Sequence, residues 1–114
     1  MAADRNKILT DSIKRLLRRG ANIHLKKIVN KTHAADLSSV FSSLPLSQQR
    51  QLFQMIGDPE KKGLLFTELE KDTFLELFDQ IEIDEVVEIV DNMASDDVAD
   101  LLGRLPEEKA DEIL

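Results

Sequence analysis

With 114 residues and no Cys, the chain can bury one modest core but can form no disulfide framework, thiolate metal site or cysteine nucleophile. Charge is divided along it: residues 1–31 hold nine Lys or Arg against Asp4 and Asp11, net +7, whereas residues 32–114 hold six basic and twenty acidic residues, net −14. No apolar run resembles a signal peptide or reaches transmembrane length, so a soluble, cytoplasmic polypeptide is expected, including the soluble part of a membrane protein.

In chain order, residues 4–19 read as a helix with Ile8, Leu9, Ile13, Leu16 and Leu17 on one face and Arg and Lys on the other. Gly20 ends it. A second helix over 22–31 carries Leu25, Ile28 and Val29. A third, 34–43, repeats Leu37, Val40, Phe41 and Leu44 at three- and four-residue steps, with Asp36 in its first turn. Pro45 suits the first position of a fourth helix that reaches Ile56 and buries Leu52, Phe53 and Ile56. Gly57 stops it.

Asp58-Pro59-Glu60 is a strong start signal, with a capping carboxylate, a fixed φ and a charge that complements the helix dipole. The segment it opens carries Leu64, Leu65 and Leu69. Asp72 is a candidate cap for the next helix, with Phe74, Leu77, Phe78 and Ile81. Residues 83–92 follow, with Val86, Ile89, Val90 and Met93. Then 96–104, capped by Ser95, carries Val98, Leu101 and Leu102, and a last helix begins at Pro106. Ile113 and Leu114 fall on an apolar stripe with no polar cap, which predicts that the natural protein continues into further C-terminal domains.

Three of these stretches superpose. Val40-Phe41-Ser42-Ser43-Leu44, Leu77-Phe78-Asp79-Gln80-Ile81 and Leu101-Leu102-Gly103-Arg104-Leu105 share one apolar pattern, and Leu37, Phe74 and Val98 share a column. Leu44 to Ile81 is 37 positions and Ile81 to Leu105 is 24. A quasi-repeat of short helices predicts an all-α stacked array, a single domain over 1–114 in which each unit borrows core from its neighbours. Residues 1–31 would form its basic opening and 32–114 its acidic repeats. The basic part is expected against the acidic remainder, a separate acidic partner or anionic lipid.

The order and spacing of these motifs resemble the cytosolic N domain of MgtE-type magnesium transporters. The run Gly20 to Leu37, ending His33-Ala34-Ala35-Asp36-Leu37, resembles that domain's opening. Leu44-Pro45 followed by a polar helix, Ser95-Asp96-Asp97-Val98-Ala99-Asp100-Leu101-Leu102 and Leu105-Pro106-Glu107-Glu108 look like its later units. The likeness extends over roughly residues 13–114. Ala34 stands where the family customarily has Pro, Leu64 where some members have an acidic or small polar residue, and the first helix is more cationic than the family pattern. The resemblance implies a right-handed superhelix of short helices, followed in transporters by CBS domains and a transmembrane pore. It also implies Mg2+ bound between acidic faces of the N and CBS domains, holding the pore shut when magnesium is high. The parent would then lie at the cytosolic face of an inner-membrane transporter, and a homodimer of that full-length protein is left open. Similar N domains occur in soluble proteins, so fold alone does not establish transport.

Asp96 and Asp100 are four residues apart on one helical face, where they repel until a divalent cation relieves them. They match the positions carried over from the family as Mg2+ contacts. The plainer reading is a solvated first turn that favours the helix dipole. Asp97 would cap the helix instead. Glu82, Asp84, Glu85, Glu88 and Asp91 form a second acidic stretch that reads first as a solvated face and lacks the EF-hand pattern. His24 and His33 stand alone, His33 as a cap or packing residue, and Met55 and Met93 fill core. No Ser-His-Asp elbow, phosphate loop or dinucleotide fingerprint is present, and an enzyme is not expected.

The leading reading is therefore a regulatory domain sensing magnesium through acidic helix faces against a following CBS-type domain. The alternative is a soluble helical scaffold for protein interaction without a transport role. Nucleic acid is disfavoured as a partner, because the domain is net acidic and lacks aromatic side chains for stacking.

Overall fold

The computed structural model describes the backbone from Ala2 to Leu114 and the side chains from Arg5 onward. The described residues form α1 (Ala2–Arg19), α2 (Asn22–Lys31), α3 (Ala34–Phe41), α4 (Leu46–Met55), α5 (Pro59–Glu68), α6 (Lys71–Phe78), α7 (Ile83–Asp91), α8 (Ser95–Arg104) and α9 (Glu107–Ile113). They stack into an array 39 × 28 × 22 Å, in which α1 meets α2 and α3, α2 meets α4, α4 meets α6 and α7 meets α9. The fold is all-α.

The repeat is visible in the backbone. Leu44, Ile81 and Leu105 each donate to the carbonyl three residues back, at 3.1, 3.1 and 3.2 Å, tightening the end of α3, α6 and α8 in the same way. After each of these residues stands an extended one, Pro45, Glu82 or Pro106, with ψ of 155°, 142° and 151°, and a second helix begins. The units are thus α3–α4, α6–α7 and α8–α9. Helices α3, α6 and α8 begin at 34, 71 and 95, reproducing the spacings of 37 and 24. The longer step is accounted for by α5, which has no counterpart in the other units and packs against α3, α6, α7 and α8 at the centre of the molecule. Its Phe66 stacks on Phe53 at 5.1 Å and meets Phe74 and Phe78 edge-on at 5.6 and 5.5 Å. Four of the five Phe therefore form one cluster.

Two glycines matter for geometry. Gly20 has φ +66°, where only Gly is unstrained, and its amide and that of Ala21 close α1 on Leu17 and Leu16. Gly63 is buried on α5 with Met93 so close that an added Cβ would lie 2.5 Å from Met93 Sδ.

Several starts differ from the sequence reading. Pro45 and Pro106 stand one position before their helices rather than inside them. Ser95 is the first residue of α8, with Ala94 at the cap, and Glu70 rather than Asp72 precedes α6. His33 occupies the cap position of α3, but its exposed side chain makes no capping bond. Among α2 to α9, only Asp58 caps an N-terminus with its side chain, accepting from the Glu60 amide at 3.0 Å. Asp58→Ala is expected to lower the unfolding free energy by about 0.5–2 kcal/mol, read from urea denaturation followed by helical circular dichroism.

Ile8 is the one misplaced apolar residue of α1. It is 68% exposed, whereas Ile13 is fully buried and Leu9, Leu16 and Leu17 pack against the core. At 3.6 residues per turn Ile8 lies about 140° from Ile13, outside a stripe of ordinary width.

The helix C-termini show a device that local sequence does not announce. Side chains from other helices satisfy their last carbonyls. Gln49 of α4 donates to Phe41 O at the end of α3 and to Leu44 O just beyond it, at 3.0 and 2.9 Å. Lys61 of α5 donates to Val29 O of α2 at 2.6 Å, and burial lowers its ammonium pKa while Asp58 opposes that shift. Asn30 of α2 donates to Met55 O of α4 at 2.9 Å and accepts from the Gly57 amide at 2.9 Å. Arg104 of α8 donates to Phe66 O and Leu69 O at the end of α5. These ties fasten helices to one another across 5 to 38 residues of sequence.

Candidate functional site

Helix α8 lies against α5 through the fully buried Leu101 and the partly buried Leu102, with Leu105 buried just beyond its end. Asp96 and Asp100 are exposed, one turn apart on an unbroken helix, so they share a face. Asp97 is half-buried and points elsewhere; it does not occupy the cap, which falls at Ala94. Arg104 is the next residue in the row that holds Asp96 and Asp100, where a cation would ordinarily pair with Asp100. Its guanidinium instead turns inward, donating to Phe66 O and Leu69 O and lying 4.7 Å from the centre of the Phe74 ring. The described residues contain two ion pairs, and neither involves Asp96 or Asp100. Sequence reasoning missed this role of Arg104, because its partners lie 35 and 38 positions away.

The acidic stretch on α7 divides in the structure. Glu85 is held by Lys62 Nζ at 2.8 Å and by Gln54 Nε2 at 3.1 Å, and Lys62 also lies 5.0 Å from the centre of the Phe53 ring. Glu85 is therefore engaged by α4 and α5 and is not part of a free solvated face. Asp84 and Glu88 remain exposed, and with Glu82, Glu85 and Lys62 they line an open groove of about 500 Å³. Leu64 is exposed on α5 beside a second groove near His33 and supplies no ligand atom. Among the described residues no three His, Asp or Glu side chains gather closely enough to hold a metal ion.

A comparison with known families bears on the readings of this array. Residues 32–114 match the family described as the MgtE intracellular N domain. The chain belongs to this family. No curated protein matches the chain. The match begins after α2, so the resemblance traced in the sequence from about residue 13 is shown from Thr32 onward, and α1 and α2 lie outside it.

MgtE N domains occur as an intracellular part of magnesium transporters that also contain a CBS domain and a transmembrane pore, and they are not a catalytic family. No helix among the described residues is long and apolar enough to cross a membrane. As an MgtE N domain, the chain presents its acidic helices around a centre built on α5. What those helices can do chemically is limited by their ligand count. The pair Asp96 and Asp100 can offer two carboxylates to a hard cation, which suits Mg2+ because that ion keeps several waters and uses one or two carboxylates. Two carboxylates on one helix make an incomplete site.

Proposed function

We propose that this chain is a magnesium-responsive regulatory domain, with Asp96 and Asp100 as its Mg2+ contacts and the acidic face of a following CBS-type domain as the opposing surface. The observation that supports this most is that both carboxylates are exposed on one face of α8 and lack an ion-pair partner among the described residues.

The chemistry is electrostatic. Two carboxylates a helical turn apart repel one another, and together they repel a second acidic surface. Mg2+, when bound, would supply the positive charge that lets two such surfaces approach. Asp96 and Asp100 would hold it, largely through its waters. Leu101 and Arg104 hold α8 on α5, so both carboxylates are presented by a fixed helix. Pore control would follow from the approach of the two domains.

In the full-length protein, millimolar Mg2+ is expected to slow proteolysis at the junction after this domain, the order suited to a site of few carboxylates. Asp96→Asn/Asp100→Asn should remove most of that protection while leaving the circular dichroism spectrum unchanged. Equal protection in the variant and the wild type would exclude these residues. A junction indifferent to magnesium in both would favour the scaffold reading, in which a partner is retained with or without the ion.

A further inference from the structure

The basic end of the molecule is not neutralised by the acidic remainder of the chain. None of the nine Lys and Arg side chains in residues 1–31 forms an ion pair among the described residues, and eight of the nine are exposed. Between α1 and α2 runs an open groove of about 450 Å³. Leu16 and Ile28, each half-buried, give it apolar surface, and the exposed Arg15, Arg19 and His24 stand along it. A concave apolar strip with a cationic edge fits the face of a helix better than it fits a flat bilayer.

A helix face of the opposite character is present in the same chain. On α7, Ile83, Val87 and Val90 recur at i, i+4 and i+7, the spacing by which an amphipathic helix sits in a groove. Ile83 is 43% and Val87 38% exposed, unusual for large apolar residues of this molecule, and Asp84 and Asp91 flank the stripe. Helix α7 belongs to the second repeat unit, whereas α1 and α2 precede the first, so a domain cannot turn its own α7 stripe into its own groove without unstacking the array. Each of two copies, by contrast, carries one of each surface.

We infer that the α1–α2 groove docks the Ile83–Val87–Val90 stripe of a second copy of this chain, Arg15 and Arg19 facing its Asp84 and Asp91. The contact is head-to-tail: the two surfaces differ, so each added copy leaves one groove and one stripe open. It is separate from the magnesium reading, because neither Asp96 nor Asp100 takes part. Apolar contact supplies the fit, and charge supplies attraction that salt weakens.

Sedimentation velocity of the 114-residue chain, without magnesium, tests this. In low-salt buffer the sedimentation coefficient should rise with concentration, and at about 0.5 M salt, where screening is effective within several ångströms, it should return to that of the monomer. Arg15→Glu/Arg19→Glu and Asp84→Lys/Asp91→Lys should each be monomeric alone, with unchanged circular dichroism. Mixed in equal amounts, they should recover concentration-dependent association, because the intact groove of one meets the intact stripe of the other and the reversed groove, now acidic, meets the reversed stripe, now basic; a mixture that stays monomeric would overturn the pairing. Val87→Ser should weaken wild-type association several-fold. A wild type that stays monomeric at every concentration overturns the inference, as does association that survives either charge reversal. A chain that remains monomeric yet sediments with phosphatidylglycerol vesicles through Arg15 and Arg19 would assign the basic groove to lipid and equally overturn it.

Discussion

Phe66→Ala is expected to lower the unfolding free energy by about 3–5 kcal/mol, the range for removing a large aromatic side chain from a closed core. Phe66 is fully buried and touches three other rings, stacked on Phe53 and edge-on to Phe74 and Phe78. Those rings come from α4 and α6, and Phe66 from α5, so the cavity would open where two repeat units meet the unrepeated helix. A small domain has about 5–15 kcal/mol in total, so the variant should lose a large fraction of its stability. Phe66→Leu, which refills much of the volume, should lose clearly less. Urea titration followed at 222 nm measures both, and a loss below about 1 kcal/mol for the alanine variant would show that α5 is not the centre of the fold.

Arg104→Met is expected to cost about 2–3 kcal/mol, because it leaves two carbonyls at the end of α5 without their charged donor and removes the cation from the Phe74 ring. The stem of Met still covers apolar surface, so the loss reports the guanidinium rather than packing. Arg104→Lys should fall between the two, since an ammonium retains the charge but cannot donate to both carbonyls in the planar fork geometry. The same urea titration reads both variants. Arg104→Met within about 0.5 kcal/mol of wild type would mean that the tie from α8 to α5 is replaced by water at no cost. This arginine also bears on the acidic pair. Held by α5, it is withdrawn from Asp100, and the i, i+4 row of α8 keeps its negative charge.

Apolar spacing made the helices and the repeat legible before the structure. The columns Leu37, Phe74, Val98 and Leu44, Ile81, Leu105 read as equivalent because each position faces the core or its margin, and the backbone places them so. The uneven spacing was also legible, but its cause was not. Nothing in Pro59 to Glu68 distinguishes an unrepeated central helix from an ordinary member of the array; that distinction lies in which helices it touches. Helix starts were less exact, because Pro and Ser are favourable both at the cap and just inside it, and the apolar contacts that fix the helix ends are distant. Asp58 was recovered because its signal is local, a carboxylate two residues before the amide it accepts from.

The site divides in the same way. The shared face of Asp96 and Asp100 follows from a four-residue spacing on any helix. That Arg104 leaves them uncompensated, and that Glu85 is taken by Lys62 and Gln54, depends on partners 23 to 38 residues away. A charge pattern along the chain shows which groups are present, whereas their pairing depends on how the helices stack. Ile8 shows a limit of reading apolar residues by type, because its position around α1, not its hydrophobicity, exposes it.

The most direct measurement on the central claim is a titration of the isotopically labelled chain with MgCl2, followed by backbone amide chemical shifts. Because two carboxylates alone make an incomplete site, Mg2+ above the millimolar range expected of the full-length protein should move the amides of α8 around Asp96 and Asp100 more than those of the α7 groove, and Asp96→Asn/Asp100→Asn should abolish the shifts on α8. Amides of α8 that stay fixed while others move, or an asparagine variant that titrates like the wild type, would contradict the assignment of magnesium to this face.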